Sequence, residues 1–237
     1  MHDPSQPAPS EPAPYRRALV WDIPTRLFHW LLAGAIVGAY WTGEFGGFDK
    51  TWHMRFGYAV LALVVFRILW GLFGSRSARF SSFLRGSATV WAYLRTLGKA
   101  SAHPTDTHNP LGALSVIALL LAVFAQAASG LFVDDDILTQ GPLNGLVSRE
   151  LDRFAGRTHG IAVWFIIGLV VLHLAAIAYY RFRKGENLTA AMITGRKDLP
   201  PGMGMERPAS LWLAGLFATI SVGVVYFTVE ILPPLLR

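Results

Sequence analysis

The sequence predicts an all-α membrane protein, and three observations carry that reading. Hydrophobic residues make up 53% of the 237 and charged residues only 15%, a balance unusual for a soluble domain. The apolar residues gather into five runs, each long enough to approach or cross a bilayer. Lysine and arginine concentrate in every second connection between those runs, the alternation that sets membrane orientation. The chain has no cysteine, which excludes structural disulfides, iron–sulfur clusters, thiolate metal sites and covalent c-type haem attachment. The formal net charge of +6 fits connections held at an anionic membrane surface. No basic domain stands outside the apolar runs, so nucleic acid is excluded as a partner.

The elements follow in order. Residues 1–15 are rich in proline and serine and read as a disordered tail that contains His2. No apolar core follows a short basic start, so the tail is not a cleavable signal peptide. The first span covers residues 27–41, behind Arg16, Arg17 and Arg26. Pro24 favours helix entry, and Trp21, Trp30, Tyr40 and Trp41 sit where interfacial aromatics sit. Gly34 and Gly38 leave a strip without side chains, suited to close helix packing or to a flat cofactor. The second span covers residues 56–73, with His53 at its entrance and Arg67 inside it. An arginine at that depth needs an anion or a snorkelling route to water.

Residues 75–108 form a polar connection with Arg76, Arg79, Arg85, Arg95 and Lys99. Within it, residues 89–97 predict a short helix lying on the membrane surface, while His103 and His108 read as loop residues. The third span, 111–133, has no histidine; Gln126 and Ser129 are placed to bond between helices. Asp134, Asp135 and Asp136 end it and open an acidic loop. The fourth span, 157–180, carries His159 and His173. Residues 186–209 read as a linker, and a fifth span over residues 210–232 ends at Pro233-Pro234, with Glu230 near the interface.

Histidine inside a membrane is costly and marks a site by default. His159 and His173 are 14 residues apart, about 21 Å along a helix and only about 40° apart around its axis. One helix face therefore offers a ligand near each membrane surface. The basic connections put the N-terminus in the cytoplasm and the C-terminus outside, with five spans. Depth then sorts four histidines into two pairs: His29 with His173 near the cytoplasmic side, and His53 with His159 near the outer side. A pair of neutral imidazoles on separate helices suits a low-spin haem iron that transfers electrons rather than binding oxygen. Without cysteine the haems are b-type. Haem propionates are anionic and pair with arginine, which makes Arg67, Arg76 and Arg79 candidates at the inner haem and Arg55 and Arg157 at the outer one. Interhelical hydrogen bonding by the four histidines is the structural alternative. A divalent-metal site is another, although acids are missing at the same depths.

Several segments together resemble the bacterial cytochrome b561 family, which includes the b-type cytochrome subunits of nickel–iron hydrogenases. They are VWDIPTRLFHW at the first span, RILWGLFGSRSARFSSF after the second, HNPLGALSV at the third, THGIAVWFIIGLVVLHL in the fourth and NLTAAMITGRK after it. The resemblance spans residues 20–197. It implies a four-helix transmembrane bundle holding two b haems, with His29, His53, His159 and His173 as axial iron ligands, the set already sorted by depth. The fifth helix and the tail lie outside the shared core.

The resemblance implies electron exchange between a membrane quinone and a redox partner, in a bacterial inner membrane and its respiratory chain. The expected partner is a periplasmic c-type cytochrome or a hydrogenase-like protein, with the chain acting as an electron-transfer subunit rather than a self-contained enzyme. Analogy places the quinone near the inner haem, around Asp22, Arg26 and residues 75–79. The acidic loop over residues 134–152 suits a basic partner by complementary charge. A superoxide oxidase that reduces quinone is the second reading, and a haem-free membrane bundle the third. The expected divisions are the tail at 1–15, the di-haem domain at 16–185, a cytoplasmic linker at 186–209, and a fifth membrane helix with a short tail at 210–237.

Overall fold

A computed structural model describes residues 14–47, 49–96, 107–134, 139–205 and 207–237. The expected tail up to residue 13, together with His103, Lys99, Asp135 and Asp136, lies outside the described residues. Helix dominates. The long elements are α1 (Ile23–Phe45), α2 (Thr51–Phe73), α5 (Pro110–Gly130), α6 (Arg149–Arg183) and α8 (Leu211–Tyr226). Shorter ones are α3 (Phe80–Phe83), α4 (Ser87–Thr96), α7 (Leu188–Thr194) and α9 (Leu232–Leu236), with strands β1 (Arg16–Leu19) and β2 (Arg196–Leu199).

Among the described residues four helices are long and apolar enough to cross a membrane: Thr51–Phe73, Pro110–Gly130, Arg149–Arg183 and Leu211–Leu236. The first of the five expected spans, α1, is not among them. It has 23 residues, as α2 does, or about 35 Å at ~1.5 Å per residue. Its apolar content is diluted by Arg26, His29, Thr42, Glu44 and three glycines. Large apolar side chains point outward along α6, with Trp164 69% and Leu172 65% exposed. That is the pattern of a helix whose solvent is lipid.

Local chemistry sets the helix ends. The Asp22 carboxylate accepts from the Thr25 amide at 2.8 Å, and Pro24 occupies the first turn of α1. Asn109 caps α5 through the Gly112 amide at 2.8 Å, ahead of Pro110. Ser148 caps α6, whose first turn holds Glu150 and Asp152 and whose last holds Arg181 and Arg183, matching the helix dipole at both ends. The fifth-span helix passes through a π-helical turn at Phe227–Ile231 before Pro233-Pro234. Two consecutive prolines remove amide donors from the ladder, and the widened turn absorbs that loss.

The most extensive packing is α1 on α2, α2 on α5 and α8, and α5 on α6. Towards the loop end a cavity opens between the α1/α2 pair and α6. One core layer joins Phe28, Phe66, Trp70, Ala78, Leu120 and Phe217. A second joins Ala35, Val60, Val64, Val123 and Ile166 at mid-bundle.

The segment expected as a linker is folded. β2 pairs antiparallel with β1, Arg16 opposite Leu199 and Leu19 opposite Arg196. Gly195, at φ +77°, accepts from the Val20 and Trp21 amides at 2.8 and 3.1 Å. A Cβ there would come within 2.6 Å of the Trp21 carbonyl, so the turn requires glycine. Val20, Trp21, Ala191 and Leu199 bury one another beneath this sheet. The bundle thus has a sheet end, with the starts of α1 and α5 and the ends of α2 and α6, and an opposite loop end. At the loop end Leu61, Leu131, Leu143 and Val225 pack together.

Candidate functional site

The four membrane histidines meet in two pairs, each joining α6 to the α1/α2 pair. At the sheet end the rings of His29 and His173 lie 6.4 Å apart, centre to centre. At the loop end those of His53 and His159 lie 5.9 Å apart. All four are half-buried.

The loop-end pair is anchored from behind. His53 Nδ1 donates to the Ala39 carbonyl at 2.8 Å, and His159 Nδ1 to the Gln126 carbonyl at 2.9 Å. An Nδ1–H held this way leaves the Nε2 lone pair for a metal, the usual arrangement behind a ligating histidine. Gln126 also donates to His159 Nε2 at 3.2 Å, so it reaches across helices as expected. Glycines make the anchoring possible: a Cβ on Gly43 would approach His53 Nδ1 to 2.8 Å, and one on Gly130 would approach His159 Cε1 to 2.9 Å. Between the rings opens a cavity of about 640 Å³. Gly57 and Gly160 line it, with open space where a Cβ would stand. Of the glycine strip on α1, Gly34 faces open space, whereas Gly38 lies tight against the Phe56 ring.

Among the described residues the sheet-end pair has no such anchors. His29 Nδ1 is buried without a hydrogen-bond partner. Beside the pair lies a buried polar cluster. Asp22 and Arg67 are 2% and 3% exposed. Asp22 spends one oxygen on the cap of α1 and the other on Trp70 Nε1, at 3.0 Å. Arg67 lies over the Phe80 ring at 4.8 Å, and its Nη1 is buried with no partner. His108, expected as a loop residue, is wedged between Trp21 and Phe83, with ring centres 4.7 and 4.6 Å away. Burial, then the nearby charges of Arg67 and His173, push its pKa down to about 3, so the ring is neutral. A histidine just before an Asn-Pro helix start was the available signal, and it does not report burial.

The other candidate arginines are surface groups. Arg76 and Arg79 are exposed, and Arg79 Nε donates to the Gly74 carbonyl at 2.8 Å. Arg55 lies over the Trp52 ring at 4.9 Å, and Arg157 is exposed. Neither borders the loop-end cavity; Lys50 and Glu44 do. Of the positions expected near a quinone, Asp22 is fully engaged and Ser75 accepts from the Ala209 amide at 2.8 Å. Arg26 borders an apolar cleft of about 160 Å³ with Leu27, Trp30 and Ile193. In the acidic loop, Asp134 accepts from Gln140 at 2.9 Å and Asp152 from the Gly145 amide at 3.3 Å.

The paired histidines fit a two-imidazole iron. Metal–imidazole bonds of about 2 Å on either side, with ring centres roughly 1 Å behind the ligating nitrogens, give centre separations near ~6 Å. A structural or hydrolytic divalent site needs three or four protein donors. Among the described residues, no three of His, Cys, Asp or Glu gather to hold a metal ion.

The sequence profile of the family described as prokaryotic cytochrome b561 matches residues 20–195. The chain belongs to that family. It is thus a helical, multi-pass b-type cytochrome of the bacterial inner membrane, built to bind haem b and transfer electrons across the membrane. No curated protein and no solved structure matches the chain. The match begins at Val20 and ends at Gly195, so this cytochrome b561 carries β2 and the fifth-span helix beyond the shared core.

Proposed function

We propose that this cytochrome b561 binds two b haems, one between His29 and His173 and one between His53 and His159. Through them it would link a membrane quinone to a periplasmic redox protein such as a c-type cytochrome or a hydrogenase-like partner. The observation that carries this reading is the pair of ring separations, 6.4 and 5.9 Å, each joining α6 to the α1/α2 pair. Each bound haem supplies a one-electron iron couple. The chain does the rest by position. α6 gives one ligand to each pair, 14 residues apart, which sets a spacing of about 21 Å along the membrane normal. The Ala39 and Gln126 carbonyls fix the loop-end tautomers. Arg67 offers the sheet-end haem a buried positive charge for a propionate. The exposed Arg55, Arg76, Arg79 and Arg157 are assigned to the rim.

Orientation follows from charge. Arg16, Arg17, Arg196 and Lys197 meet on the two-stranded sheet, with Arg181, Arg183 and Lys184 just below. We assign this end and the N-terminus to the cytoplasm, and the C-terminus to the periplasm. Quinone exchange is assigned to the Arg26 cleft at the same end. Electron transfer belongs to residues 16–185, and the helix over residues 210–237 is given no redox role. The superoxide-oxidase reading wants a positive outer funnel; Glu44 stands beside Lys50 at the loop-end cavity, so it has weaker support.

The test is a reduced-minus-oxidised spectrum and a haem count on purified protein. Two haems per chain are expected, and a colourless protein would end the reading.

A further inference from the structure

We infer that His108 and Arg67 together form a cradle for one carboxylate at the sheet end, and that this carboxylate is a propionate of the haem held by His29 and His173. The inference rests on the haem reading above and adds to it a residue, His108, with a defined task.

Among the buried side-chain atoms without partners are Arg67 Nη1 and His108 Nδ1, both at the sheet end. A buried donor left unmade costs about 1–3 kcal/mol, and more for a charged group, so folded proteins seldom keep one without use. An arginine nitrogen can only donate. The Asp22 carboxylate lies within electrostatic reach of Arg67, but its oxygens are held by Thr25 and Trp70, and among the described residues Arg67 makes no salt bridge. The missing partner of Nη1 is therefore an acceptor brought from outside, and a carboxylate suits a guanidinium nitrogen.

The short helix α3 aligns the two groups. Arg67 lies over Phe80 and His108 against Phe83, one turn further on, with the two phenylalanine rings 6.0 Å apart. His108 sits directly before the Asn109 cap of α5, which fixes its backbone. It lies within electrostatic reach of both Arg67 and His173, so the cradle borders the sheet-end pair. The division of labour is chemical. Arg67 supplies charge. The neutral His108 ring supplies an N–H from its Nδ1 without adding a second positive charge. His108 is thus a positioning residue that orients the haem edge and sets its potential.

The test uses the full-length, haem-loaded protein in detergent. His108→Phe keeps a ring against Trp21 and Phe83 but removes the donor; His108→Gln restores an N–H. The two haem midpoint potentials are titrated for each, and the propionate bending modes are recorded by resonance Raman. In His108→Phe the potential of the sheet-end haem falls, because a propionate that has lost a donor stabilises ferric iron. The loop-end haem is unmoved, and His108→Gln returns toward the parent. If His108→Phe does not accumulate, the unsubstituted protein still answers: the bending mode shifts between H₂O and D₂O when N–H groups hold the carboxylate. A His108→Phe protein with two haems and unchanged potentials and modes would overturn the inference, as would a parent mode indifferent to D₂O. A parent with no haem would instead sink the haem reading beneath it.

Discussion

At the loop end each histidine of the pair has a backbone carbonyl behind it; at the sheet end, among the described residues, neither does. His53 and His159 are fixed by Ala39 and Gln126, and the cavity between them is already open. His29 has a bare Nδ1, and its surroundings hold buried polar groups instead: Asp22, Arg67 and the neutral His108. One site is ordered by its own backbone. The other keeps buried polar atoms without partners. The two ends thus divide the tasks of orienting a ligand and balancing its charge, and they should respond differently to substitution.

The largest expected effect is loss of a whole cofactor. His53→Ala and His173→Ala should each lower the haem count of purified protein from two to one per chain, at opposite ends. If either variant keeps both haems, the pairing is wrong. Next comes Gly130→Val. Its side chain would begin 2.9 Å from His159 Cε1, so the loop-end haem is lost while the sheet-end spectrum persists. Gly34→Ala, which faces open space, is the matched control and should bind both. Equal haem loss in the two variants would show that the loop-end anchoring is not what matters.

Smaller effects sharpen the sheet end. Arg67→Gln removes a buried charge, so the sheet-end haem should drop in potential while the loop-end haem stays, as read by redox titration. Trp70→Phe strands one Asp22 oxygen, at a cost of about 1–3 kcal/mol; a lower thermal midpoint with unchanged haem count is expected. The smallest effect is assigned to Asp134→Asn. Its carboxylate is already held by Gln140, so electron exchange with a basic c-type cytochrome should keep nearly the same salt dependence. A collapse of that dependence would put Asp134 itself in the docking surface.

The parts of the fold that were legible in the sequence share a cause. Helix period and loop charge act locally, and they were enough to sort His29 with His173 and His53 with His159 before any coordinates. The short helix α4 at Ser87–Thr96, expected over residues 89–97, was visible for the same reason. The β1–β2 sheet was not, because RRAL and RKDL are unremarkable strings that become strands only on meeting 180 residues apart. Burial of His108 was hidden as well: its neighbours Trp21 and Phe83 come from other elements. Five arginines looked alike as propionate partners, yet only Arg67 is buried. Sequence distance from an apolar run does not say whether a long side chain turns toward the core or snorkels to water.

The small sheet also sets an order of assembly. β1 precedes the first helix and β2 follows the last helix of the family core, so their pairing closes the chain upon itself like a clasp. That clasp cannot fasten until residues 196–199 have been synthesised and α6 is in place. The loop-end pocket is lined by residues of α1, α2, α5 and α6 and the loop before α6, none later than Val171. A growing chain would therefore hold every wall of that pocket before the clasp at the sheet end can close.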